Sequence, residues 1–222
     1  MKVFIATPTI SGDLCHEYTL SLLAGTKDLH NAGIDYQVEF RAGCSLIQLA
    51  RNELVDMFLK TDCTDLLFID ADLCFQVDAM RKVLLAPKDV VCGLYPYKQD
   101  EEKYPARVIQ EADGRTKIVN GLVQVSGAPT GFMRIRRWVI ERMIEAYPER
   151  VFDNGAGPMY DLFPVERVGK ELVGEDFRFC QLWREIGGEV WIDPDISFLH
   201  VGRRAFPGNW QKYMINLAGE IQ

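Results

Sequence analysis

Leu66-Leu67-Phe68-Ile69-Asp70-Ala71-Asp72 places four large apolar residues directly before two carboxylates spaced one residue apart. Four such side chains in a row predict a strand buried on both faces, as in the interior of a parallel sheet. The two acids at its end can converge on one divalent cation and, through it, on a diphosphate. A D-x-D pattern is short, and acids also follow strands as solvated turn residues, so its meaning depends on its place in the fold.

The chain before this stretch supplies that place. Val3 to Ala6 is a strand that stops at Thr7-Pro8-Thr9. An apolar-periodic segment from Cys15 to Asn31, with Leu20, Leu22, Leu23 and Leu29, closes at Ala32-Gly33 and predicts a helix with a glycine stop. Tyr36, Val38 and Phe40 alternate with polar residues, so Asp35 to Phe40 is a second strand. Ser45 is placed to cap a helix running to about Lys60, with Leu46, Leu49, Val55 and Phe58 among its apolar positions, and Arg51 and Asn52 interrupt that helix. Leu66 to Ile69 is then the third strand of an α/β pattern. Asp70 and Asp72 lie at its carboxyl end, where ligand crevices of open α/β sheets form.

Beyond it, Val77 to Leu85 reads as a short helix and Asp89 to Leu94 as a fourth strand running into Tyr95-Pro96-Tyr97-Lys98, followed by a charged loop, Gln99 to Lys103. Short strand-like pieces at 107–110, 117–119 and 122–125, separated by Asp113-Gly114 and Asn120-Gly121, predict an antiparallel insertion. A loop at 127–131, a strand at 132–135 and a helix from Trp138 to Tyr147 come next. Residues 153–158 read as a mobile loop, 174–186 as a helix, 189–192 as a strand, 196–199 as an apolar run and 209–221 as a terminal helix.

The 222 residues, 48% of them hydrophobic, suffice for one enzyme-sized core. A formal charge of -7 disfavours a polyanionic partner unless a local basic patch exists. Six scattered cysteines without a C-x-x-C pair read as buried free thiols of a reducing compartment. The apolar run at the N-terminus is too short for a signal-peptide core, and no run reaches bilayer length, so a soluble, cytoplasmic protein without a membrane span is expected.

An h-h-h-h-D-A-D strand preceded by a helix containing Ala50-Arg51-Asn52 resembles the nucleotide-sugar glycosyltransferases of the GT-A fold, and more closely the small glycosyltransferase-like proteins of bacteriophage and large-virus genomes. The resemblance runs from Ile5-Ala6-Thr7-Pro8 to the His200 segment. It implies an α/β fold with a central mixed sheet flanked by helices, formed by one domain over 1–222 with a nucleotide-binding half to about 100 and an acceptor-side half after it. It implies Thr7, Pro8 and Thr9 near the donor nucleotide, where a plain strand-ending turn is the alternative. Arg51 would pair with the diphosphate or hold Asp70. Ser126 to Phe132, with Gly131, resembles the loop that closes one wall of the donor and acceptor site. Gly174-Glu175-Asp176 resembles the E-D pair of inverting enzymes, which makes Asp176 the general base beside Glu175; acids are also what a first helical turn favours. His200-Val201-Gly202, followed by Arg203 and Arg204, resembles the C-terminal H-x-G segment in which the histidine binds metal and a basic residue reaches the phosphates. A structural histidine is the alternative there.

Together these residues imply a metal-dependent glycosyltransferase. Mn²⁺ or Mg²⁺ would be held by Asp70, Asp72 and His200, with Ala71 between the acids. The donor would be a nucleotide sugar, most simply a UDP-sugar. The hydroxyl acceptor stays open among glycan, small molecule, protein and modified DNA base, as does inversion against retention. A catalytically silent nucleotide-sugar or glycan-binding module is the rival reading. A haloacid-dehalogenase-type phosphatase, with Asp70 and Asp72 as nucleophile and acid, ranks lower because the pair lies on the third strand and Cys74 stands where Thr or Val is usual. A sugar-nucleotide pyrophosphorylase ranks lower still, for want of a G-x-G-x-R loop.

Overall fold

The computed structural model describes residues 1–111, 113–155, 157–202 and 205–220. In chain order the first half comprises β1 (Lys2–Thr9), α1 (His16–Asn31), β2 (Asp35–Ala42), α2 (Ile47–Leu59), β3 (Asp65–Ile69), β4 (Leu73–Phe75), α3 (Ala79–Leu85) and β5 (Val90–Gly93). The second half opens with β6 (Arg107–Val108), β7 (Ile118–Val119), β8 (Leu122–Gly127), β9 (Phe132–Arg136) and α4 (Arg137–Ala146). It continues with β10 (Val151–Asp153), β11 (Pro158–Tyr160), β12 (Glu166–Val168), β13 (Glu171–Val173) and α5 (Glu175–Glu185). It ends with β14 (Val190–Asp193), β15 (Ser197–Val201), β16 (Ala205–Asn209) and α6 (Trp210–Glu220).

Nine strands form one mixed sheet in the order β2-β1-β3-β9-β5-β14-β8-β6, with β7 also on β8. β1 runs parallel to both β2 and β3, whereas β9 is antiparallel to both β3 and β5. The expected α/β class, a central mixed sheet flanked by helices, is therefore the observed one. The sequence explains why its centre is continuous apolar chain. Val3, Ile5, Leu67 and Ile69 face one layer with Tyr18, Leu22 and Leu29 of α1 and Met80 and Val83 of α3. Phe4, Ala6, Leu66 and Phe68 face the other with Leu54, Val55 and Phe58 of α2, Val139 and Met143 of α4, and Phe179 and Leu182 of α5. Strands covered on both faces lose the alternation that an open sheet would show.

The antiparallel insertion is present, and it adds to the main sheet: β6 and β7 both pair with β8, which pairs with β14. Three expectations are corrected. Leu20 and Leu23 are each 63% exposed, because the helical stripe facing the sheet is Tyr18, Leu22, Thr26 and Leu29. Ser45 does not cap α2, which begins at Ile47 after Leu46 with no side-chain cap bond. Arg51 and Asn52 do not interrupt α2 but lie on its buried side. The loop expected at 153–158 is bounded by Asp153 of β10 and Pro158 of β11, which pair with each other.

β4, β15 and β16 form a separate three-stranded sheet that the linear pattern did not show. It sits immediately after Asp72 and carries His200 opposite Leu73. Arg134, fully buried in β9, donates from all three guanidinium nitrogens to the carbonyls of Val83, Ala86 and Asp89, and so ties the end of α3 to the sheet. All six cysteines are unpaired; Cys63, Cys92 and Cys180 are buried, while Cys15, Cys44 and Cys74 are partly exposed. Among the described residues no helix is long and apolar enough to cross a membrane.

Candidate active site

Because β1 lies between β2 and β3, the chain reverses its direction of strand addition at β1, and the carboxyl ends of β1 and β3 splay around a crevice. A cleft of about 660 Å³ opens there, lined by Pro8 and Thr9 at the end of β1 and Asp13 after it, Arg51 of α2, Asp70, Ala71 and Asp72 after β3, and Glu175 and Asp176 at the start of α5. Fold closure thus gathers residues separated by up to most of the chain.

Pro8 and Thr9 are in this cleft but Thr7 is not. Thr7 shares a face with Val3 and Ile5, is fully buried, and meets the Tyr18 hydroxyl of α1 at 2.6 Å. Its side chain, expected near a nucleotide, therefore does not line the cleft. The D-A-D turn is fastened from three sides: the Cys15 N–H donates to the Ala71 carbonyl (3.2 Å), the Asp70 N–H to the Gly131 carbonyl (2.8 Å) and the Val201 N–H to the Asp72 carbonyl (2.8 Å). The last bond brings β15, and with it His200, to the turn.

The three expected metal ligands divide into a pair and a single carboxylate. His200 Nε2 is 3.6 Å from Asp72 Oδ1. The other ring nitrogen, Nδ1, lies 2.7 Å from the Pro96 carbonyl oxygen. A carbonyl only accepts, so Nδ1 carries a hydrogen and donates it to Pro96, which leaves Nε2 as the ring atom that faces Asp72. Burial pushes the Asp72 carboxyl up, but the nearby His200 ring and the Lys98 ammonium outweigh it and hold the group below the ordinary carboxylate range. Asp70 instead accepts from Arg51 Nη2 at 3.1 Å. Among the described residues no three His, Cys, Asp or Glu side chains converge on one point. Two protein ligands completed by phosphate oxygens and water are what Mg²⁺ or Mn²⁺ commonly takes, and a histidine whose far nitrogen is fixed by a carbonyl suits Mn²⁺, so the residues present fit such an ion.

Arg51 is the cleft's buried cation. Its side chain is 4% exposed, and besides Asp70 it pairs with Glu175, whose Oε1 lies 3.5 Å from Nε. Nε and Nη1 have no hydrogen-bond partner, an expensive condition for a buried guanidinium. Such donors fit an anionic ligand seated in the cleft. The guanidinium also lies 5.3 Å over the Phe68 ring, so the strand that presents Asp70 and Asp72 supports the arginine as well.

Asp176 is the second residue of α5, and its Oδ1 accepts from the Phe177 N–H at 2.7 Å. Burial, and then the neighbouring Glu175 charge, raise its pKa from 3.8 to about 6. A carboxylate held near neutrality accepts a proton more effectively than an ordinary one.

Gly131 stands behind the cleft, not on its wall. A Cβ there would lie 2.3 Å from both Asp70 Oδ2 and the Tyr95 hydroxyl. Only glycine allows Asp70 and Tyr95 to close over this backbone, and the Gly131 N–H donates to the Tyr95 hydroxyl at 3.1 Å. Arg203 and Arg204 lie outside the described residues.

Three groups were not marked by the sequence. Tyr95 stacks edge-on against the His200 ring, with centroids 5.0 Å apart. Asn52 accepts the Leu162 and Phe163 N–H groups and donates to Asp161, which fixes the 161–163 segment against α2 beside Arg51. Lys98 contacts Asp72 Oδ2. The signal for Tyr95 and Lys98 was their position just past a strand's carboxyl end.

No family model matches the chain, and no curated protein matches it. Among solved structures, residues 1–349 of TarS from S. aureus are similar with a TM-score of 0.48 at 12% identity, over 86% of this chain and 58% of that one. The chain therefore spans less than two thirds of that structure's length. The inositol-1-phosphate CTP transferase from T. maritima gives a TM-score of 0.45 at 11% identity, over 86% of this chain and 84% of that one. Likenesses this distant leave the functional reading to rest on the cleft.

Proposed function

We propose that the protein is a metal-assisted transferase acting on a nucleotide diphosphate sugar, moving the sugar to a hydroxyl acceptor, with a UDP-sugar as the simplest donor. The observation that carries this reading is the meeting in one cleft of Asp72, backed by His200, the buried Arg51 with its underused donors, and Asp176. Among the described residues, five carboxylates, Asp13, Asp70, Asp72, Glu175 and Asp176, line that cleft against one lining cation, Arg51. A diphosphate entering so acidic a pocket needs a divalent counter-ion.

Mn²⁺ or Mg²⁺ held by Asp72 and His200 would supply charge neutralisation at the departing diphosphate. Arg51 offers its unpartnered N–H groups to the same anion, and Asp70 and Glu175 keep its fork in position. Asp176 takes the proton of the acceptor hydroxyl as that oxygen attacks the sugar's anomeric carbon. Inversion follows from direct attack. Pro8 and Thr9 face the nucleotide end of the cleft, while Arg203 and Arg204, just after His200, are proposed to reach the phosphates.

A phosphatase with Asp70 as nucleophile is less well supported, because one Asp70 oxygen is held by Arg51 and the other packs against Gly131. A silent binding module differs from the enzyme only in turnover. A screen of labelled nucleotide sugars for transfer and hydrolysis, run with the wild type and Asp176→Asn, separates the two. Donor binding in both proteins with transfer in the wild type alone is the expected result. Metal-dependent donor binding without turnover for any nucleotide sugar would favour the silent module, and equal transfer by both proteins would remove Asp176 as base.

A further inference from the structure

Lys98 follows the fourth strand of the sequence pattern and carries no motif, yet its ammonium sits on Asp72 Oδ2. The other oxygen of that carboxylate faces His200 Nε2. Asp72 thus has a protein cation on one oxygen and a ring nitrogen near the other. One short stretch arranges both: the Pro96 carbonyl takes the His200 Nδ1 hydrogen, and Lys98, two residues later, reaches the carboxylate. The Tyr97 N–H donates to the Lys103 carbonyl at 2.8 Å, which folds the charged loop back on itself and holds the backbone at Lys98 beside the cleft.

A lysine ammonium and a divalent metal ion are both hard cations that seek the same carboxylate oxygen, and at contact distance they repel each other. We propose that Lys98 is a displaceable counter-ion. It neutralises Asp72 while the cleft lacks a divalent cation, yields Oδ2 when the ion arrives, and turns its flexible four-carbon stem to the diphosphate that the ion brings. The exchange adds two positive charges to the acidic cleft while the ammonium stays within reach. This inference rests on the metal and diphosphate reading above. It explains why a cation stands on a would-be metal ligand, a contact that a fixed structural ion pair would only obstruct.

Mn²⁺ binding, followed by the electron paramagnetic resonance signal of the free ion, tests it in the full chain without nucleotide and then with UDP. Lys98 is on the surface side of the cleft, so Lys98→Met is expected to fold, which its circular dichroism and melting curve check. Lys98→Met should bind Mn²⁺ alone about tenfold more tightly than the wild type, since one competing charge at a partly screened position is removed. The Mn²⁺-loaded variant should hold UDP several-fold more weakly, and Lys98→Arg, which keeps the charge, should stay near the wild type in both. Unchanged or weaker Mn²⁺ binding by Lys98→Met, or tightening of the same size in Lys98→Arg, overturns the proposal. Where the wild type binds Mn²⁺ and Asp72→Ala does not, that failure leaves the metal reading standing; no Mn²⁺ binding by the wild type even with UDP overturns both.

Discussion

Replacing Asp176 by Asn is expected to stabilise the protein above pH 6, to leave stability nearly unchanged at pH 4, and to remove sugar transfer. The carboxyl's pKa rises from 3.8 to about 6 on folding, chiefly through burial and then through Glu175. The folded state therefore binds this proton more tightly than the unfolded chain does. Between those two values stability falls as pH rises, and above pH 6 the full penalty of the buried charge is present. At about 1.4 kcal/mol per pKa unit the ceiling is about 3 kcal/mol. Asp176 retains some contact with solvent, which reduces the expected effect to about 1–2 kcal/mol. Asn keeps an oxygen for the Phe177 N–H, so the helix start is preserved while the charge is removed. For a chain of this size the gain corresponds to a rise in Tm of about 3–6 °C at pH 8. Urea denaturation of both proteins at pH 4, 6 and 8 measures it. A difference that does not change with pH, or an Asn variant less stable than wild type at pH 8, would refute the assignment of a buried, charge-strained base.

Two further perturbations address the frame of the site. Gly131→Ala places a methyl group where Asp70 Oδ2 and the Tyr95 hydroxyl now lie, so Asp70 should be pushed off Arg51. Diphosphate affinity is expected to drop at least about tenfold, read by titration calorimetry, for the loss of one charge-assisted contact; unchanged affinity would remove Asp70 as the partner that positions Arg51. Arg134→Met should cost about 3 kcal/mol or more in chemical denaturation, because three carbonyls around the end of α3 lose a buried donor. A loss below about 1 kcal/mol would mean that water replaces the guanidinium.

What could be read from the sequence, and what could not, follows from how far apart the determining contacts lie. The β3 run announced itself because both of its faces are covered, and Gly33 marked the end of α1 by a turn that needs positive φ. The same double burial hid the outcome at Thr7: with no alternation in β1, nothing local says that Val3, Ile5 and Thr7 turn to α1 while Pro8 turns to the cleft. β4 has three residues and gains its identity from pairing with β15, more than a hundred residues later. The Asp72–His200 approach depends on that pairing, and it was legible only as a resemblance of the H-x-G segment. Ser45 had the right chemistry for a cap but lies two residues before α2 begins. Lys98 read only as the end of the stretch that follows the fourth strand, because an ion pair across 26 residues leaves no periodic trace.

The central claim is that Asp72 and His200 make this cleft a metal-dependent diphosphate site. Calorimetric titration of UDP into the wild type and Asp72→Ala, each with and without Mn²⁺, tests it most directly. The account predicts binding by the wild type that requires Mn²⁺ and is lost in Asp72→Ala. Equal UDP affinity with and without the ion, or an Asp72→Ala variant that binds as the wild type does, would contradict it.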